Sequence, residues 1–188
     1  MVKGATIQRP GGLAALVGAI AAAVLFTFTP PFEGTKLTTY RDIAGVLTYC
    51  TGATENAAWG KTYTPAQCRA QLDRDLERHA AGIAICIPLA RLTDGQKVAF
   101  VDVAYNIGVS GFCGSSMARR TNAGDMVGAC NALLAWNKVK VLRPIKGPDG
   151  KPLKDARGKV VMQWVYEEVR GLTRRRQAER ELCLKGLP

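Results

Sequence analysis

Between Arg9 and Glu33 the chain carries no charge for 23 residues, and this stretch, residues 10–32, restricts the architecture more than any other feature. Its centre, Leu13 to Phe28, reads LAALVGAIAAAVLFTF. At about 1.5 Å per residue, a helix from Gly11 to Thr29 just crosses a hydrocarbon layer of about 30 Å. Lys3 and Arg9 precede it and no acidic residue does, so the N-terminus is expected to stay cytoplasmic while the remainder is exported. A cleaved leader needs a small-residue site after the apolar run. This run ends instead in Phe26-Thr27-Phe28-Thr29-Pro30-Pro31, and the Ala21 to Ala23 triplet lies inside it. An uncleaved anchor is therefore the expectation, and a weak one. Nine of the nineteen residues from Gly11 to Thr29 are Gly or Ala, whose transfer into lipid gains far less than that of Leu or Ile. Such a composition fits either close helix packing within a bilayer or an anchor able to leave it.

The rest of the 188 residues suffices for one domain with a real core. Lys and Arg outnumber Asp and Glu by 26 to 15, which implies an anionic partner: nucleic acid, anionic lipid or an acidic wall polymer. Export and the lack of any recognised binding motif argue against nucleic acid. Six cysteines (50, 68, 86, 113, 130 and 183) include no Cys-x-x-Cys pair and are joined by one histidine, His79. That set does not read as a metal site, and neither metal nor cofactor is expected. On the exported side of a membrane it reads as disulfides, although spacing alone leaves fifteen pairings open. His79, in a charged helical pattern, reads as a surface residue.

Residues 35–52, rich in Thr, Tyr and Val, read as a small antiparallel β unit. Thr64-Pro65-Ala66-Gln67 and Thr93-Asp94-Gly95-Gln96 are capping boxes. The first opens a helix ended by Pro88. The second opens a segment, Val98 to Ile107, apolar nearly all round and thus central. Shorter helices are expected at Ser116 to Asn122, Asp125 to Trp136 and Thr173 to Leu184. Between the last two, residues 138–163 are basic and turn-rich, with Val139-Lys140-Val141 and Lys159-Val160-Val161 set to pair across Pro148-Asp149-Gly150.

Glu33 follows Pro30-Pro31-Phe32 and precedes Gly34; Asp42 lies nine residues on, before Gly45, and Thr48 six residues beyond that. A Glu and an Asp at this spacing mean little alone. The surrounding pattern, Glu33-Gly34, Tyr40-Arg41-Asp42, Gly45, Thr48 and Gly52, resembles the Glu-Gly…Tyr-x-Asp…Gly-x-x-Thr motif of phage-type lysozymes, glycoside hydrolase family 24. The resemblance continues in Phe100 to Gly108 (FVDVAYNIG), Asn122 to Asp125 and Gly171 to Leu184 (GLTRRRQAERELCL). It covers residues 33–137 and 164–186.

This resemblance implies an α+β, lysozyme-like fold: a small antiparallel β lobe, a mainly helical lobe and a cleft between them. It implies an inverting muramidase, an endolysin that cuts the β-1,4 links between N-acetylmuramic acid and N-acetylglucosamine in peptidoglycan and so lyses the host cell. Glu33 is then the general acid and Asp42 the second carboxylate, with Thr48 helping to place the water. The two carboxyls are expected to stand about 6.5–9.5 Å apart. An arginine of the C-terminal helix lies near the acid in this family, and Arg174 is the choice among Arg174, Arg175 and Arg176. The resemblance favours Cys86–Cys113; Cys130–Cys183 and Cys50–Cys68 are further pairings expected beside it, not ones the resemblance itself supplies. Where T-even relatives carry a histidine shortly after the threonine, this chain has Ala53 and Thr54.

The apolar segment directly before the motif resembles that of the signal-anchor-release endolysins. On that likeness, residues 1–32 are a signal-anchor segment and 33–188 the catalytic domain, with 138–163 an insertion. The protein is expected in the host periplasm, first tethered to the inner membrane through residues 10–32, then released as a monomer with its former anchor folded into the enzyme. The alternatives are a lytic transglycosylase, which needs only the Glu, and an inactive membrane-tethered wall-binding protein. The eight basic residues of 138–163 are open to three uses: wall contact, lipid contact or solubility.

Overall fold

The computed structural model describes residues 12–42 and 45–186, with the backbone alone at Glu33. Lys3, Arg9 and the first two residues of the apolar stretch lie outside the described residues. The described part of that stretch is three short helices: α1 (Leu13–Val17), α2 (Ala19–Phe28) and α3 (Pro30–Glu33). Gly18, at φ 90°, breaks what the sequence reads as one continuous helix. Its amide still closes α1 by donating to Ala14 O at 2.8 Å, but the chain then turns. Among the described residues no helix is long and apolar enough to cross a membrane. The segment is instead part of the core. Leu13, Val17, Ala21 and Leu25 are buried against Leu72, Leu76 and Ile83 and against Phe100 and Val101. Burying Leu13, Val17 and Leu25 alone is worth about 5–9 kcal/mol relative to water, comparable with the whole stability of a small domain.

The β lobe follows at once. β1 (Lys36–Arg41) pairs antiparallel with β2 (Leu47–Cys50), Tyr40 opposite Thr48 and Arg41 opposite Leu47. The segment before the first long helix adds to it, Tyr63 N donating to Leu37 O at 2.7 Å. Helix α4 (Pro65–Ala84) then carries the chain to the helical lobe. Both halves of the Thr64/Gln67 capping box form, as do those of Thr93/Gln96 at the start of α5 (Asp94–Ile107). As its all-round apolar pattern requires, α5 is central: Val98, Phe100, Val101 and Val103 are fully buried. Helix α6 (Val109–Cys113) packs on it, α7 (Ser116–Asn122) and α8 (Met126–Ala132) add to the same core, and α9 (Arg170–Lys185) lies along it.

Three disulfides staple these parts: Cys50–Cys68 joins β2 to α4, Cys86–Cys113 joins the turn after α4 to α6, and Cys130–Cys183 joins α8 to α9. Cys86–Cys113 is the pair the resemblance favours, and the other two are the further pairs expected from the sequence.

The predicted hairpin forms with a different partner strand. β3 (Lys138–Pro144) pairs with β4 (Met162–Glu168), so Val139 faces Glu167 and Val141 faces Val165, rather than Lys159 to Val161. The Pro148-Asp149-Gly150 turn is present, Gly150 N donating to Gly147 O at 2.9 Å. A second turn follows it, in which Asp155 Oδ1 accepts from the amides of Arg157 and Lys159. That turn folds Val160 back on Lys154 and moves the long pairing on to Met162–Glu168.

Candidate active site

Glu33 closes α3, and its helix is held from three sides. Gly34 N donates to Pro30 O at 2.8 Å, and Gly34 takes φ 71°, the left-handed region open to glycine. Phe32 packs on Phe28, their ring centroids 5.2 Å apart. The Arg175 guanidinium lies 5.5 Å above the Phe32 ring, in cation–π range. The Glu33 side chain, and with it the expected carboxyl separation, lies outside the described residues.

Asp42 stands at the reversal between β1 and β2. Its Oδ1 accepts from Val46 N at 2.8 Å, while its own amide donates to Val46 O at 3.0 Å. Gly45 N donates to Asp42 O at 2.9 Å, and the Arg41 guanidinium donates to Gly45 O at 2.7 Å. Thr48 is buried, 3% exposed, and its hydroxyl donates to Val46 O at 3.0 Å. One residue, Val46, thus orients both side chains. With its proton committed to Val46, the Thr48 oxygen is left with lone pairs, so toward a water it is an acceptor.

Behind α3 lies a charged cluster that the sequence reading missed. Asp102 of α5 is fully buried and accepts from the Thr29 hydroxyl at 2.7 Å, from Arg175 Nε at 2.9 Å and from Arg175 Nη2 at 3.1 Å. Arg176 and Glu179, also fully buried, pair with each other beside it. Burial alone would raise the Asp102 carboxyl, but Arg175, then hydrogen bonds with Glu179, Arg175 and Thr29, hold it below the usual carboxylate range. Glu179 goes the other way: burial first, then the charge on Asp102, push it well above that range.

The arginine beside α3 is therefore Arg175, not Arg174, which is exposed. The physical reason is helical phase. Arg175, Glu179 and Cys183 recur at i, i+4 and i+8 on one face, and Cys183 is buried in its disulfide. Arg174 points off that face. Asp102 also had a signal. An aspartate inside a helix apolar nearly all round cannot stay buried without a cation.

The two lobes meet where the Tyr105 hydroxyl donates to Thr51 O. A cavity of about 120 Å³ lies there, lined by Gly52, Thr54, Asp75, His79 and Tyr105 among others. His79 is not the surface residue its sequence context implies. Its ring is half-buried, edge-on to Tyr105 at 5.3 Å, with Nδ1 2.6 Å from Asp75 O. Burial pulls it below the ordinary histidine range.

Comparison with known proteins places this arrangement. Residues 30–179 match the phage lysozyme family. The chain is 35% identical over 186 residues to a SAR-endolysin of Bacteriophage PS119, covering 95% of each chain. It is 36% identical over 176 residues to a SAR-endolysin of Enterobacteria phage PA-2, covering 90% of each. Its fold is similar to that of an endolysin from Escherichia coli O157:H7 phage FAHEc1. The TM-score is 0.68 at 26% identity, over 91% of this chain and 94% of that one.

Proposed function

The chain belongs to the phage lysozyme family, and from that premise we propose that it hydrolyses the β-1,4 links between N-acetylmuramic acid and N-acetylglucosamine with Glu33, Asp42 and Thr48. The observation that carries the site assignment is the shared anchoring of Asp42 and Thr48 on Val46, on the strand pair that follows directly from the Glu33 helix.

In the reaction, the Glu33 carboxyl gives its proton to the bridging oxygen as the C1–O bond breaks. Asp42 takes a proton from a water that attacks C1 from the opposite face, and Thr48 accepts that water's second hydrogen. One water is consumed and the anomeric centre inverts. Arg175, in place of Arg174, supplies the supporting charge behind α3. Mass analysis of fragments released from purified sacculi tests the reaction type. Hydrolysis leaves reducing ends that carry the mass of one added water. Anhydro ends would assign a transglycosylase instead.

Before it acts, the protein is exported to the host periplasm and tethered through residues 10–32; afterwards it works as a monomer in which the described part of the former anchor, residues 12–32, packs against the catalytic part of the chain. The energetics favour a balanced exchange. Lipid shields Leu13, Val17 and Leu25 as well as the core does, so their burial does not choose between the two states. The Gly and Ala residues gain little from lipid, whereas the Thr29–Asp102 hydrogen bond exists only in the folded enzyme. Ala14, Ala15, Ala19 and Ala23 are exposed in the folded state, so replacing them by Leu strengthens lipid partition by roughly 2 kcal/mol each without crowding the core. Fractionation of induced cells is expected to show the variant in the membrane and lysis delayed. An unchanged soluble fraction would refute the tether.

A further inference from the structure

The ribbon β3–β4 has one face that nothing among the described residues covers. In its register Lys140 is opposite Tyr166, Leu142 opposite Trp164 and Pro144 opposite Met162, so these six side chains share a side. Trp164 is 61% and Tyr166 70% exposed, and Lys140 Nζ lies 5.1 Å from the Trp164 ring centroid. The other side is conventional. There Val141 and Val165 are half-buried, and Arg143 makes a two-point ion pair with Glu167 at 2.7 and 2.6 Å.

The ribbon is also cationic, with eight Lys or Arg against two Asp and two Glu in residues 138–168. Its root is fastened to the site. Val169 N donates to Asn137 O at 2.9 Å, and the Asn137 amide donates to the Thr173 hydroxyl at 3.2 Å, two residues before Arg175. Seven residues at about 3.4 Å each carry the strands roughly 24 Å outward from there.

We infer that this face is an accessory docking surface for a peptidoglycan strand, with Trp164 and Tyr166 stacked on sugar rings and the neighbouring lysines paired with stem-peptide carboxylates. The inference rests on the reading that peptidoglycan is the substrate. Rings two residues apart on a strand stand about 7 Å apart, on the scale of one pyranose unit. Tyr and Trp offer large rigid contact area at low entropic cost, and the basic arm complements an acidic polymer. An anionic lipid surface is the competing occupant. The exposed ring pair at sugar-ring spacing and the fastening of the root beside Arg175 favour the glycan.

The test is co-sedimentation of the full chain with purified sacculi in a Glu33→Gln background, which keeps binding separate from cleavage. Trp164→Ala with Tyr166→Ala is expected to weaken sacculus binding by about tenfold or more, and Trp164→Phe with Tyr166→Phe to restore it. With Glu33 intact, the Ala pair is expected to raise KM on sacculi and leave cleavage of a soluble tetrasaccharide, too short to reach the arm, unchanged. Binding to phosphatidylglycerol vesicles serves as the control arm. Unchanged sacculus binding would overturn the inference. So would a loss confined to the vesicles, which assigns the face to lipid, or an equal loss on both substrates with a lowered Tm, which makes it structural. If the wild-type chain released no sugar from sacculi, the proposed function itself would fail, a separate result.

Discussion

Asp102→Ala is expected to lower stability by about 3–5 kcal/mol, a drop of roughly 6–20 °C in Tm for a chain of this size. Arg175, 2% exposed, would keep its charge with its main partner gone. Thr29 would lose its acceptor, and with it the polar tie between the end of α2 and α5. Asp102→Asn keeps that acceptor and the volume, so its loss should be smaller. Thermal unfolding of the two variants separates charge from shape. The pH dependence has two parts of opposite sign. Asp102 has a depressed folded value, so its contribution is present above the ordinary carboxylate range and is lost as pH falls through that folded value. Glu179 is raised, so its contribution is complete below about 4.5 and is lost as pH rises through the folded value.

Glu33→Gln carries the second large effect. Gln keeps the shape and hydrogen-bonding reach of Glu but has no proton to give, and loss of a general acid typically slows a reaction by about 10²–10⁴. Asp102 and Arg175 keep their own contacts in this variant. The variant should therefore unfold at the wild-type temperature while its activity collapses. Wild-type folding with lost activity is what distinguishes a reacting residue from a structural one.

Much of this was legible in the residues. The capping boxes at Thr64 and Thr93 are local chemistry, so the starts of α4 and α5 were readable to the residue. The burial of α5 follows from its lack of a polar face. Two readings, the partner of β3 and the exposure of His79, went astray where tertiary contacts outweigh local pattern. Hydropathy does not tell lipid from a protein core, so the break at Gly18, which packing against α4 and α5 makes worthwhile in the folded enzyme, leaves no mark in the sequence. The pairing of β3 depended on the Asp155 turn, a side-chain-to-backbone motif less conspicuous than Pro148-Asp149-Gly150. Arg175 was within reach through its phase with Cys183, and Asp102 through its setting. Val46 was not, since a residue that acts through its backbone leaves no mark in the side-chain pattern.

The most direct measurement is clearing of outer-membrane-permeabilised cells by the wild type, Glu33→Gln and Asp42→Asn, each first shown to unfold at the same temperature. The wild type is predicted to drop the turbidity and both variants to leave it nearly flat. Clearing by either variant at close to the wild-type rate would contradict a two-carboxylate site at Glu33 and Asp42.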